Sequence, residues 1–310
     1  MYWIAWAGVF WLGPIGTQNI WNTSQDEWSA TIVDVGHGSS VLVEVDKYVL
    51  LYDAGSFGSV EAGSRSISSV LWTAGIERID VLVISHADID HFNAVPDLCQ
   101  RFRVGSVWVP EHFLTSDQES VRYVMEELRA RNVSVTTIHR GMSGRIGQLA
   151  TWTCLSPGPE PPAGSDNSKS IVMLIEGLGK RLILPGDLED SGMETLLLSK
   201  AIDVDVALSP HHGSAGSAQG EFVAWCKPEL VVVSGKNKVR ESDRSSPATW
   251  LSTDDEGAIR IHFKRDHVTW QSWVRQRGAH GIHQRGWMNE PTVSLSNAST
   301  VEDKSEKAHQ

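Results

Sequence analysis

The chain has 310 residues, 41% hydrophobic and 21% charged, enough to bury a sizeable core in one large domain or two small ones. That balance excludes a wholly disordered or fibrous chain. A formal net charge of −11 excludes long-range attraction to polyphosphate and leaves any nucleic-acid contact to local cations or bound metal. Three cysteines, Cys99, Cys154 and Cys226, show no CxxC spacing; they exclude a disulfide scaffold or zinc ribbon and read as small buried hydrophobes.

In chain order, residues 3–15 are apolar and aromatic but contain Gly8, Gly13 and Pro14. That stretch is short of the roughly 20 residues a bilayer crossing needs. No Lys or Arg precedes Lys47, so the basic region of a signal peptide is missing. The segment reads either as a packed or interfacial stretch or as the end of a membrane helix. Apolar β-branched runs at 30–35, 40–45 and 48–52, each closed by a Gly- or Asp-containing turn, predict a mostly antiparallel meander. Helical spacing over 65–74 stops at Gly75, and 79–84 is a continuous apolar strand buried on both faces. A helix at 93–102, a strand at 104–109, an amphipathic helix at 116–131 and a strand at 133–138 follow, then a Gly/Pro-rich loop at 156–164.

The second half uses the same grammar. A hairpin of 171–176 with 181–184 precedes a helix at 188–199, a strand at 204–208, a helix at 219–226 and a strand at 230–234. Runs at 259–263 and 267–273 predict a closing hairpin, and the residues from 286 onward are polar and aperiodic, as a disordered tail is. Strand clusters with helices after each half predict an α/β (α+β) fold of two packed mixed sheets with helices outside, an αββα sandwich. The expected organisation is an N-terminal segment 1–28, a folded domain 29–273 and a tail 274–310.

Five polar clusters directly follow predicted strands, where α/β layers gather ligands and catalytic groups. They are Asp34-Val35-Gly36-His37-Gly38, Asp53-Ala54-Gly55, His86-Ala87-Asp88-Ile89-Asp90-His91, Gly186-Asp187 and His211-His212-Gly213-Ser214. In a turn, residues 86, 88 and 90 converge on one point while 91 reaches another, which suits two divalent ions roughly 3.5–4 Å apart. One such run could be a solvated turn; three together are not, because buried unpaired carboxylates are costly and call for a cation. His37, a single histidine in a glycine turn, reads first as structural. His112, His139, His262, His267, His280 and His283 show no ligand spacing, and the 13 tryptophans read as packing residues.

These motifs resemble the metallo-β-lactamase-like domain of the ComEC family of competence proteins, membrane channels for DNA uptake, and of its stand-alone relatives. The family's opening DVGQGD is matched by Asp-Val-Gly-His-Gly-Ser at 34–39, its D-x-G turn by Asp53-Ala54-Gly55 and its THxDxDH by residues 85–91. Its Asn-Asn-x-Ser corresponds to Asn167-Ser168-Lys169-Ser170, its LTGD to Leu184-Pro185-Gly186-Asp187, its HHGS to residues 211–214 and its closing D-x-x-G-A-I turn to 254–259. The resemblance spans about residues 29–273. It departs at His37 and Ser39, where the family has Gln and Asp, and in the missing Gly-His-Pro after the last core strand, where residues 236–247 stand instead. The helix before the closing hairpin is shortened, and the channel's membrane helices are absent.

The resemblance implies a metal-dependent hydrolase in which a metal-bridged hydroxide is the nucleophile, a phosphodiesterase or nuclease related to DNA uptake. It assigns His86 and Asp88 to a first metal, and Asp90, His91 and one of His211 and His212 to a second, with Asp187 bridging. The expectation taken forward gives His211 to the metal and makes Asp90 and His212 the catalytic pair. Asn167 falls where many relatives have a histidine. With Asp88 this makes the first position harder, so that Mn²⁺ stands beside Zn²⁺ as the expected cofactor, two ions per chain and no nucleotide. Asp34, His37, Asp53, Asn167 and Lys236 are supporting candidates. Lys236, Lys238 and Arg240 read equally as a solvated basic loop and as contacts to substrate phosphate. Expected partners are DNA as substrate and membrane-embedded competence proteins. If residues 3–15 are the end of a membrane helix, the domain sits on the outer face of the inner membrane; otherwise it is cytoplasmic. A metallohydrolase of some other ester, lactone or amide, and a non-enzymatic remnant of a split transport protein, are the alternative readings.

Overall fold

The computed structural model describes residues 26–161, 163–214, 216–235 and 246–273. The apolar run 3–15, the polar tail and the basic residues Lys236, Lys238 and Arg240 therefore lie outside the described residues.

The first half begins with β1 (Glu27–Ile32), β2 (Val41–Val45) and β3 (Tyr48–Tyr52), the antiparallel meander that the alternating runs predict. Helix α1 (Val60–Thr73) starts five residues earlier than its apolar spacing suggests, because the Ser59 hydroxyl caps it by accepting the Ala62 N–H at 3.2 Å. Next come β4 (Arg78–Val83), α2 (Val95–Arg101), β5 (Arg103–Val109), α3 (Glu111–Leu114), α4 (Glu119–Ala130) and β6 (Ser134–Thr137). A hairpin of β7 (Ser143–Ile146) and β8 (Ala150–Ser156) precedes β9 (Val172–Gly177) and β10 (Lys180–Leu184). The chain continues through α5 (Asp190–Leu197), β11 (Val206–Leu208), α6 (Gln219–Cys226), β12 (Leu230–Val233), β13 (Thr249–Ser252), α7 (Thr253–Glu256), β14 (Ala258–Lys264) and β15 (Val268–Trp273). The reading of the sequence missed β7, β8 and β13. Helix α7 is a single turn, in line with the shortening noted before the closing hairpin.

These strands form two mixed sheets. The order is β15-β14-β1-β2-β3-β4-β5-β6 in one and β13-β12-β11-β10-β9-β8-β7 in the other. Between them lies one apolar layer built from Trp28, Tyr52, Met173, Leu184, Leu208, Val232 and Ile261 among others. Trp28 stacks on Phe263 with ring centres 3.7 Å apart, and its indole N–H donates to Gly177 O, so the buried ring leaves no polar atom unpaired. On the outer face of the first sheet Ile67 and Leu71 of α1, Leu98 of α2 and Val124 and Leu128 of α4 pack on Leu51, Leu82 and Val107. On the second, Met193 and Leu196 of α5 and Phe222 of α6 pack on Val172, Ile183 and Val231. The fold is the expected αββα sandwich. Among the described residues no helix is long and apolar enough to cross a membrane.

Strand direction decides where chemistry collects. β3, β4 and β5 run parallel, as do β10, β11 and β12, so the carboxyl ends within each set open on one edge. Two hydrogen bonds tie the edges of the two sheets together there: Ile171 N–H donates to Ser85 O at 2.9 Å, and Ser234 Oγ–H to Gly38 O at 3.0 Å. All five polar clusters lie in loops at that rim.

Candidate metal centre

The 86–91 loop leaves β4 and folds as a 3-10 turn over Ile89–His91, with Asp88 at its head and the His91 N–H donating back to Asp88 O. That turn rests on the Asp53-Ala54-Gly55 loop. A Cβ on Gly55 would come within 2.3 Å of the Asp90 carbonyl, so only glycine fits there. Asp53 adopts φ 59° and is fully buried. Its carboxylate accepts the Ser85 N–H at 2.8 Å, the Ser85 hydroxyl at 2.9 Å and the His91 Nδ1–H at 2.8 Å. Ser85 Oγ in turn lies 2.9 Å from His86 Nδ1. One buried carboxylate thus fixes the tautomer of two histidines and turns both Nε2 atoms into the site.

Those Nε2 atoms face carboxylates. His91 Nε2 is 3.1 Å from Asp187 Oδ1, and His86 Nε2 is 3.7 Å from Asp88 Oδ2. His212 donates from Nδ1 to Ser234 O at 3.2 Å, which leaves Nε2 inward, 3.5 Å from Asp90 Oδ2 and 3.4 Å from Asp187 Oδ2. Two groups of ligand atoms result, His86/His91/Asp187 and His37/Asp90/His212, each with all its atoms within 4.8 Å of one another.

His211 lies differently. Its Nδ1 is 2.7 Å from Glu189 Oε2, and its Nε2 approaches one carboxylate oxygen, Asp187 Oδ2, at 3.7 Å. Asn167 does not join the ligand groups either; its amide donates to Glu189 Oε1 at 2.8 Å. Glu189, at the N-cap of α5, therefore organises two predicted residues, and the reading of the sequence passed it over. The signal was an acidic residue two positions beyond Gly186-Asp187. Asp34 is a turn former, its Oδ1 accepting the Gly36 N–H, and it stands outside both ligand groups. Asp53 is a support beneath the site. His37 is brought in, its Nε2 4.0 Å from Asp90 Oδ2. Lys236 lies outside the described residues.

The carboxylates and imidazoles of the site are strongly coupled. Burial alone would depress the His91 imidazole, but Asp187 and Asp53 outweigh it and hold its pKa well above the ordinary range. Burial would likewise raise the Asp187 and Asp90 carboxyls; the neighbouring imidazoles win, holding Asp187 well below the usual range and Asp90 at about 2. Inward-facing imidazole nitrogens thus stand beside ionised carboxylates, and His86 Nε2 is buried with no hydrogen-bond partner. Nitrogen and carboxylate donors at this spacing fit divalent transition ions.

The model of the Metallo-beta-lactamase superfamily matches residues 33–236 of the 310. The chain belongs to that superfamily. Two curated proteins are similar to it over more than three quarters of its length. One is ComE operon protein 3 of Bacillus subtilis (strain 168), 29% identical over 262 residues, or 77% of this chain and 33% of the relative. The other is competence protein ComA of Neisseria gonorrhoeae, 28% identical over 260 residues, or 79% of this chain and 33% of that protein. The chain therefore spans about a third of the length of the curated relatives it matches. Among solved structures, the CmlA β-hydroxylase E377D mutant superposes with a TM-score of 0.50 at 17% identity, covering 76% of this chain and 54% of its own, and supports the fold alone.

Proposed function

We propose that this chain is a two-metal phosphodiesterase acting on DNA, with His86, Asp88, Asp90, His91, Asp187 and His212 holding two divalent ions. The observation that carries it is the gathering of ligand atoms in two adjoining groups at the rim between the two sheets, His86, His91 and Asp187 in one and Asp90 and His212 in the other, with Asp88 Oδ2 3.7 Å from His86 Nε2. When bound, such an ion pair polarises the scissile group and makes water acidic enough to attack near neutral pH. The competence relatives and the ComEC-type motifs support DNA as the substrate class.

The proposal exchanges the expected roles of the histidine pair. His212 is 3% exposed at its side chain and reaches two carboxylates, so it serves as a ligand. His211 is 29% exposed, and Glu189 holds its Nδ1. Its Nε2 is thereby free to protonate the alkoxide that leaves when the P–O bond breaks. Asp53 orients His91, Asn167 steadies Glu189, and the Ser85 hydroxyl links His86 to Asp53.

The test is metal analysis of the purified chain, followed by cleavage of single-stranded and duplex DNA with Mn²⁺ or Zn²⁺. Two ions per chain and metal-dependent cleavage, falling steeply as salt rises, are expected of an acidic protein with few local cations. Loaded protein that opens a lactone or phosphate-free ester but no phosphodiester would overturn the substrate and leave the metallohydrolase. Loaded protein that cleaves nothing would point to the idle remnant.

A further inference from the structure

We infer that His37 is a third side-chain donor to the ion seated between Asp90 and His212, giving that position one more imidazole than the ligand set proposed above. The inference rests on the two-metal reading of the same site.

Distance is the first argument. The His37, Asp90 and His212 ligand atoms all lie within 4.8 Å of one another, with His37 Nε2 4.0 Å from Asp90 Oδ2. Two donors each 2.0–2.2 Å from one ion stand at most about 4.4 Å apart. A swing of a few tenths of an ångström by a half-exposed ring closes the set.

The second argument is how firmly the loop is held. Gly38 has φ 144°, and a Cβ there would lie 2.6 Å from Gly55 O and 2.9 Å from Asp90 O, so the His37 turn is wedged against the Asp90 backbone. Ser39 N–H donates to Asp90 O at 3.3 Å, and Phe57 N–H to His37 O at 2.6 Å. Ser234 gives its hydroxyl to Gly38 O while its carbonyl accepts His212 Nδ1–H. The loop carrying His37 is thus bonded to the two segments that carry the other ligands, and its position is set before any ion arrives.

The third argument is what the ring does otherwise. Its edge-on contact with Phe57, centres 5.9 Å apart, and its approach to His212 at 5.0 Å would be served by any flat side chain. Packing does not account for a ring nitrogen held 4.0 Å from Asp90 Oδ2. An added neutral imidazole shifts this position toward borderline ions such as Zn²⁺ and gives it two imidazoles and a carboxylate, the same donors as the His86/His91/Asp187 group.

His37→Phe keeps the flat packing, and His37→Gln keeps a neutral polar chain that is a poor ligand. Each is titrated with Co²⁺ by visible absorption and with Zn²⁺ against a competing chelator, with metal stoichiometry measured alongside. Two ions are expected in the wild-type chain. In both variants one position should weaken by at least about tenfold, its Co²⁺ bands should change, and the metal-free thermal midpoint should stay put. Unaltered affinities and Co²⁺ spectra at both positions overturn the assignment, even if turnover falls, for the ring would then face substrate instead. If the wild-type chain takes up no ion, the two-metal reading fails first, and this one with it.

Discussion

His211 and His212 are chain neighbours that both sit in left-handed backbone, at φ 46° and 51°, and such conformations cost of order 1–3 kcal/mol for residues with a Cβ. That strain sends consecutive rings to different neighbours: Glu189 for one, Asp90 and Asp187 for the other. The run His211-His212-Gly213 was legible as ligand chemistry, but the division of labour was not, because it depends on two dihedral pairs that no spacing rule encodes. His212→Ala is expected to lose at least one ion by metal analysis. His211→Ala should keep both ions and lose about 10²–10⁴-fold in kcat. Metal loss in the His211 variant with retention in the His212 variant would restore the original assignment. His112 teaches a similar lesson. It showed no ligand spacing, yet both its ring nitrogens are buried without a hydrogen bond, and burial pushes its pKa down to about 4. A pKa depressed below that of the unfolded chain means that the unfolded state binds more protons between about pH 6.5 and 4, so this contribution to stability is present above 6.5 and lost as pH falls to 4. His112→Phe should remove that slope, worth about 3 kcal/mol at pH 4. Denaturant midpoints across pH check it; parallel curves for the two proteins would count against the buried neutral ring.

At the scale of elements, strands buried on one or both faces inside a sheet were the legible ones. β4 and β12 are near-continuous apolar runs, and β9 with β10 forms the predicted hairpin. The missed strands lie at or toward an edge of the second sheet. β7 and β13 end the sheet and bury little, so Ser143-Gly144-Arg145-Ile146 and Thr249-Trp250-Leu251-Ser252 offer weak patterns. β8 does alternate, burying Ala150, Trp152, Cys154 and Ser156, but small and polar residues dilute the signal. A different feature of β10 could not have been read from its pattern. Lys180 is 2% exposed and pairs with Asp205, just before β11, at 3.0 Å. Asp205 also accepts the Arg181 N–H at 2.8 Å. Asp205→Ala leaves an ammonium buried with its main partner gone and should cost about 3–5 kcal/mol by urea unfolding. Lys180→Met should cost less, because its methylene stem already packs and the remaining carboxylate keeps a backbone donor. Equal losses in the two variants would mean that the carboxylate depends on the pair as much as the lysine does.

At the scale of the molecule, neither sheet owns the site. Asp53, His86, Asp90 and His91 follow strands of the eight-stranded sheet, whereas Asp187 and His212 follow β10 and β11 of the other. The sequence shows that each candidate ligand follows a strand; that the two sets meet is a property of the packed sandwich, held by the apolar layer beneath and by rim bonds such as Ile171 N–H to Ser85 O. Divalent ions bound at this seam would engage the folded chain and find no equivalent in the unfolded one, so mass action ties their binding to stability. At a free ion concentration a hundredfold above Kd the gain is about 2.7 kcal/mol. For a domain of more than 200 residues each kcal/mol moves Tm by about 2–4 °C, which sets the expected drop on chelation at roughly 5–10 °C, reversed by adding the ion back. The same scan should stay a single transition, because the ligands of both sheets are lost together. In Asp187→Ala the inter-sheet carboxylate is gone, and chelator should no longer shift the midpoint appreciably. A wild-type midpoint indifferent to chelator, in protein shown to carry two ions, would mean that the ions bind outside the seam.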